Sequence, residues 1–339
     1  MKFDILYCII INVLQKLKNQ TAIFADNCYE FNYIFYRHMS DNLTKIQQAL
    51  RNNRNDLAFI VGNGINRFAY GDRQNVSWNG LLLEVWQQIS YRTMSDISSG
   101  ISLTEFYDIM EMEAGSIDKV RQKVVDLLGE WRPDEYHKWL QEKISSDWDV
   151  PLLTTNFDMN LNEGLTLNKL ESENLKFADY YPWNVYFSRT ELNSPTEGFG
   201  VWHINGMLKY KRSIRLGLSE YMSLLSRVRT FLHKEDGLDD FDLKNQSRWK
   251  GYPTWLHIIF NKSLCIFGLA LDENETFLRW LLIERAKYFK RYPERKKKGW
   301  FVCKAGECSE GKRLYLDYIG FELVQLDSYD DIYRGMFLP

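Results

Sequence analysis

Short, continuous apolar runs alternate along the chain with longer stretches of helical periodicity. Leu57–Val61 (LAFIV) stops at Gly62-Asn63-Gly64, and residues 150–153 (VPLL) stop at Thr154-Thr155-Asn156. Residues 201–204 (VWHI) stop at Asn205-Gly206, and Ser263–Phe267 (SLCIF) stops at Gly268. Residues 300–303 and 321–326 add a last pair. An apolar run too short for a buried helix and closed by turn residues reads as a strand covered on both faces. Such strands separated by helices predict an α/β fold, a Rossmann-like parallel sheet with helices on both sides and no zinc module.

Helical spacing is clearest at Leu81, Leu82, Val85, Trp86 and Ile89, with a break at Trp131-Arg132-Pro133, and again over residues 219–231. These predict helical insertions near 85–148 and 207–256 in one domain spanning 45–339. Residues 1–44 read as an N-terminal arm or helix. Met39 precedes SDNLTKIQQAL, a capped amphipathic helix, so residues 1–38 are either an accessory arm or sequence upstream of a natural start. The apolar run ILYCIIINVL, residues 5–14, is far shorter than the ~20 residues of a membrane span and lacks the flanks of a signal peptide.

Composition narrows the classes of function. The 339 residues are 45% apolar and 26% charged with a net charge of −2, so no whole-molecule field draws the chain to nucleic acid or to a membrane. The basic run RYPERKKK, residues 291–298, reads as an exposed loop, and the acidic stretch KEDGLDDFDLKNQ as a solvated connection. Five cysteines form no paired framework. Cys303 and Cys308 are spaced C-x4-C with no second pair to complete a zinc site. The odd count and the lack of a secretory signal favour a reducing, cytoplasmic compartment. No metal is expected.

The candidate chemistry sits where the strands end, which in open α/β sheets is where ligands bind. In GNGINR, Gly62 and Gly64 flank Asn63 between a strand and a helix, a turn that lets backbone approach a phosphate. The amides from Gly62 to Ile65 are the expected cradle, with Asn66 and Trp78 nearby. A third glycine and an acidic residue closing a second strand are missing, which argues against a dehydrogenase. In LLTTNFD, Thr155, Asn156 and Asp158 are either site residues or a turn in which Asp158 caps a helix over residues 159–165. In VWHINGML, strand alternation places His203 and Asn205 on one face before Gly206. The other four histidines carry no such signal. In FGLALDENETFLRWLL, Gly268 permits close approach, and Asp272 either caps the next helix or contacts a ribose.

Taken in this order, GNGINR with Trp78, TTNFD, HING, a tyrosine after LSE, and FGLALDE resemble the sirtuin-like, silent-information-regulator domains of bacterial anti-phage systems. The likeness covers roughly residues 45–335. It implies an NAD hydrolase that splits NAD into nicotinamide and ADP-ribose and depletes the cell of NAD on infection. It implies Asn156 as the residue orienting ribose and water, His203 as base or ribose partner, and Asp158 as support for loop or ribose. Activation by a companion (an ATPase, a short Argonaute or a nucleotide-processing enzyme) and a homo-oligomer are also implied. Two departures stand out. The paired CxxC motifs of deacetylating sirtuins are absent, which argues against deacetylation. The family histidine directly precedes the glycine, whereas Asn205 holds that place here. The alternative is a non-catalytic subunit that binds NAD or ADP-ribose.

Overall fold

All six apolar runs are strands, and they lie side by side in parallel. A computed structural model describes residues 41–71, 76–171, 181–233 and 241–338; the apolar run at 5–14, His38, Met39, Cys8, Cys28 and part of the acidic stretch lie outside them. In chain order the strands are β1 (Leu57–Val61), β2 (Leu152–Thr154), β3 (Thr166–Lys169), β4 (Val185–Ser188), β5 (Val201–His203), β6 (Ser263–Phe267), β7 (Gly299–Lys304) and β8 (Glu322–Leu326). They form one sheet in the order β3-β4-β5-β2-β1-β6-β7-β8. Pairing is parallel from β5 through β8, while β4 runs antiparallel to both β3 and β5.

Side-chain alternation divides the central strands between two cores. Ala58, Ile60, Leu153, Trp202, Leu264 and Ile266 face one side. Leu57, Phe59, Val61, Leu152, Val201, Cys265 and Phe267 face the other. A strand apolar on both faces must be covered on both, which gives the doubly wound architecture. The first face is covered by α7 (Leu218–Leu232), α8 (Trp255–Asn261) and α9 (Thr276–Arg291). The second is covered by α1 (residues 41–52), α6 (Glu135–Glu142) and α11 (Tyr329–Tyr333). Phe59 packs edge-on against Trp148 and Phe267, with Phe337 alongside.

The insertion between β1 and β2 has a core of its own. After α2 (Gly64–Tyr70), the helices α3 (Trp78–Ile89), α4 (Leu103–Ala114) and α5 (Ile117–Leu128) bury Leu82, Val85, Trp86, Phe106, Met110 and Val124 together. Their starts follow local rules. Ser77 accepts a hydrogen bond from Gly80 N at 3.0 Å, and Ser102 and Glu105 form a reciprocal capping box. Phe157 and Ile214 from the sheet domain complete this third core, which seats the helical insertion over the carboxyl ends of the strands. Glu220 on α7 fastens it, accepting from Arg121 of α5 at 2.6 Å and from Arg215 at 2.9 Å. A last helix, α10 (Glu310–Tyr318), links β7 to β8.

Two features differ from the sequence expectation. The β3–β4 hairpin was not anticipated, because Thr166–Lys169 is polar and mostly exposed and lacks the apolar run of a central strand. The helix expected over 159–165 is only a single 3-10 turn, Asn160–Asn162. The residue at its cap position is Met159, without a side-chain cap; Asp158, one residue earlier, accepts from Asn160 N through Oδ1 at 3.1 Å.

Candidate active site

Strand order reverses direction between β1 and β6, since β1 leads toward β2 and β6 leads toward β7. The glycine turn after β1 lies there, but it is packed against protein. Gly64 N donates to Gly268 O at 2.7 Å, and Ile65 N donates to Gly62 O at 3.3 Å. A Cβ on Gly62 would stand 2.6 Å from Leu269 Cδ1, and one on Gly64 would stand 2.7 Å from Gly268 Cα. The glycines therefore admit the β6 loop, and two of the amides expected to cradle a pyrophosphate are already engaged. Of the expected Gly62–Ile65 cradle, the Gly64 and Ile65 amides are thus spent within the protein, and the close approach that Gly268 permits is to the glycine turn.

Beside this turn lies a closed polar network. Asn66 is fully buried. Its Nδ2 donates to Asp158 Oδ2 at 2.8 Å and to Asn63 Oδ1 at 2.9 Å. Its Oδ1 receives Asn160 Nδ2 at 3.2 Å and His137 Nε2 at 2.8 Å. His137 Nδ1 accepts from Asp134 N at 3.0 Å, so Nε2 carries the proton and the ring is neutral. Burial pushes the His137 pKa down to about 4 and raises that of Asp158. Asn63 Nδ2 donates to Val76 O, which joins the network to the start of the helical insertion. Asn63, Asn66 and Asp158 are thus brought together, as parts of the scaffold.

The TTNFD segment is buried throughout, and His203 holds it in place. His203 Nδ1 lies 2.9 Å from Asn156 O, and Nε2 lies 2.8 Å from Asn162 Nδ2. An amide nitrogen only donates and a carbonyl only accepts, so the tautomer is fixed with the proton on Nδ1. Both ring nitrogens are occupied, the residue is 1% exposed, and burial pushes its pKa down to about 4. β5 ends at His203, so Asn205 lies beyond the strand, just before Gly206 turns the chain at φ +103°.

Asn205 instead lines a cavity of about 70 Å³ between the helical insertion and the carboxyl ends of β2, β5 and β6. Thr155, Phe157, Trp78, Thr104, Tyr221, Asn274 and Glu275 contribute to its walls. Trp78 stands edge-on to Phe157 with centroids 5.4 Å apart. The side-chain oxygens of Asn156 and Asn205 are buried without a hydrogen-bond partner. An orphaned amide oxygen costs about 1–3 kcal/mol; Asn205 lines the cavity, while Asn156 lies between the lining residues Thr155 and Phe157 without lining it itself. Asn156 Nδ2 is held by Gly62 O at 3.3 Å, which ties its amide to the glycine turn. Of the residues expected in the site, Trp78, Thr155 and Asn205 reach the cavity. Asn156, His203, Asp158 and the glycine turn do not line it. Asp272 positions the loop instead, with its Oδ1 accepting from Asn274 N at 3.0 Å.

Sequence reasoning missed Glu275 and Asn274. Each follows Asp272 in DENET and reads as part of a helix start. Asn274 Oδ1 accepts from Leu103 N at 3.0 Å, bridging the β6 loop to α4. The same loop contains Leu271 at φ +50°, a left-handed conformation costly for a residue with a side chain. Arg279 Nη1 donates to Leu271 O at 2.8 Å and holds it there. Non-glycine strain of this kind collects at functional loops.

The chain matches no family model, and no curated protein is significantly similar to it. Among the described residues, no group of His, Cys, Asp and Glu is placed to hold a metal ion, and no helix is long and apolar enough to cross a membrane.

Proposed function

We propose that the chain is an NAD glycohydrolase, which converts NAD and water to nicotinamide and ADP-ribose and acts in anti-phage defence by depleting NAD. The observation that carries this reading is the pair of orphaned amide oxygens, Asn156 and Asn205, at the carboxyl ends of adjacent strands in a Rossmann-like sheet. Breaking the nicotinamide–ribose bond develops positive charge on the sugar. Neutral amide oxygens stabilise that charge, and they accept from ribose hydroxyls or from the attacking water. The nicotinamide leaves as a neutral molecule, so no strong acid is required. Trp78 and Phe157 offer the aromatic surface on which a planar ring packs.

The cavity as it stands is far smaller than the ~300 Å³ of ordinary ligand pockets, so a dinucleotide requires the helical insertion to move away from the sheet. A closed resting site supports activation by a companion defence protein or by assembly into a homo-oligomer. The contacts to be released are Arg121 to Glu220 and Leu103 to Asn274.

A second reading is a non-catalytic subunit that binds NAD or ADP-ribose. It is favoured by His203, whose ring nitrogens are both consumed inside the protein. Incubating the purified chain with NAD, alone and with candidate partners, and measuring nicotinamide and ADP-ribose by chromatography separates the two. The hydrolase reading expects both products in equal amounts, and their loss in Asn156→Ala. Binding of NAD with no product under any of these conditions selects the second reading, and absence of binding rejects both.

A further inference from the structure

With His203 locked into the scaffold, the proton of the attacking water needs another acceptor, and the cavity wall supplies one. Of the residues lining the cavity, only Tyr221 and Glu275 titrate. The Tyr221 phenol is driven far above the physiological range, first by burial and then by Glu275 and Glu220, and is no base near neutrality.

We infer that Glu275 is the general base of the reaction, taking the proton from water as its oxygen bonds to the ribose carbon. The inference rests on NAD hydrolysis as the chemistry. The step balances without another reactant. The carbon–nitrogen bond to nicotinamide breaks with its electron pair leaving on nicotinamide, a carbon–oxygen bond forms from water, and the water proton passes to Glu275 and then to solvent.

The geometry supports the role in three ways. Glu275 lines the same wall as Asn205 and Asn274 and faces the same small volume as Thr155. Its backbone is fixed: Glu275 N donates to Asp272 O at 3.1 Å, and its carbonyl accepts from Arg279 N at 3.0 Å. Its carboxylate is left uncommitted, since among the described residues no lysine or arginine pairs with it and no hydrogen bond engages it. The other charged groups around the cavity are occupied. Glu220 holds Arg121 and Arg215, Glu105 closes the Ser102 cap, and Arg279 is spent on Leu271 and stacked 4.0 Å over Tyr315; Asp108, whose Oδ1 is buried without a partner, does not line the cavity. Burial, and then the neighbouring Asp272, push the Glu275 carboxyl up to about 7, where a base is most effective near neutral pH.

The test combines calorimetric NAD binding, steady-state turnover between pH 5.5 and 8.5, and an infrared titration of the protein without NAD. Wild type should show a carboxyl that titrates near neutrality and disappears in Glu275→Gln. Turnover should rise with pH through the same range, because the ionised form is the base. Glu275→Gln should keep NAD affinity and lose at least about 100-fold in kcat, with the pH slope abolished, and Glu275→Asp should recover part of the rate and the slope. Wild-type rate and pH profile in Glu275→Gln overturn the inference while leaving the hydrolase intact. Failure of wild type to bind NAD removes the reading on which it rests, and the infrared band then reports on the carboxyl alone.

Discussion

Two polar regions lie at the carboxyl ends of the same strands, and they are built in opposite ways. Around Asn66, none of the buried side-chain polar atoms of Asn63, Asp158, Asn160 and His137 lacks a partner. At the cavity, Asn205 keeps an orphaned oxygen, as does Asn156 between the lining residues Thr155 and Phe157; Leu271 is held in a left-handed conformation, and the Glu275 carboxylate is uncommitted. Residue type does not distinguish the two, since both are rich in asparagine with a carboxylate. Satisfaction of hydrogen bonds does: a saturated network rigidifies a fold, whereas unmet polar groups are retained where something else is to be bound. His203 lies between the two: both its ring nitrogens are engaged, yet its partners Asn162 and Asn156 each keep an unpartnered side-chain oxygen.

Acid breaks this contrast most severely. His137, His203 and His257 have folded pKa values pushed down to about 4, by burial first in each case, against about 6.5 for a free imidazole. The unfolded chain therefore binds more protons between those values. The stability these groups contribute is present above pH ~6.5 and is lost as pH falls toward 4. Denaturation followed across that window should show a loss on the order of several kcal/mol. A flat profile would show that the saturated network is not protected from water.

Paired substitutions on the two sides come next in size. Asn66→Ala strands Asp158, His137 and Asn160 in the interior, and urea unfolding should register a loss of about 3–5 kcal/mol. Asn205→Ala removes an oxygen that has no partner, so stability should stay within about 1 kcal/mol of wild type while NAD turnover falls. Equal destabilisation by both would erase the distinction between the regions.

The smallest expected effect concerns the helical insertion. Arg121→Ala leaves Glu220 still bound to Arg215 and to Leu216 N, so the cost should be about 1–2 kcal/mol. Hydrogen exchange should quicken in α3 to α5 ahead of the sheet, and turnover without a partner should rise. Uniform exchange throughout the domain would place the weak point elsewhere.

Much of the fold was legible because the physics is local. Leu57–Val61 and Ser263–Phe267 are apolar at every position, which only a doubly covered strand accommodates. The edge hairpin was not legible, since Thr166–Lys169 acquires strand geometry from its antiparallel partner rather than from its own pattern. Trp78, Thr155 and Asn205 were legible as strand-end and turn residues, and the cavity gathers them. The direction of each side chain was not, because β2 ends at Thr154 and β5 at His203, and Thr155, Asn156 and Asn205 lie in loops beyond them that no two-residue period governs.

The sequence alone determined the six apolar strands and the placement of TTNFD, HING and FGLALDE at their ends, because apolar runs and turn residues encode both through short-range rules. Tertiary structure alone decided which polar groups are spent. His203 finds Asn162 and the Asn156 carbonyl across the sheet, Asn66 finds Asp158 through the turn, and Glu275 is desolvated by helices remote from it in the chain. Hydrogen-bond satisfaction and desolvation depend on all the neighbours of a group at once, and those neighbours are set by packing.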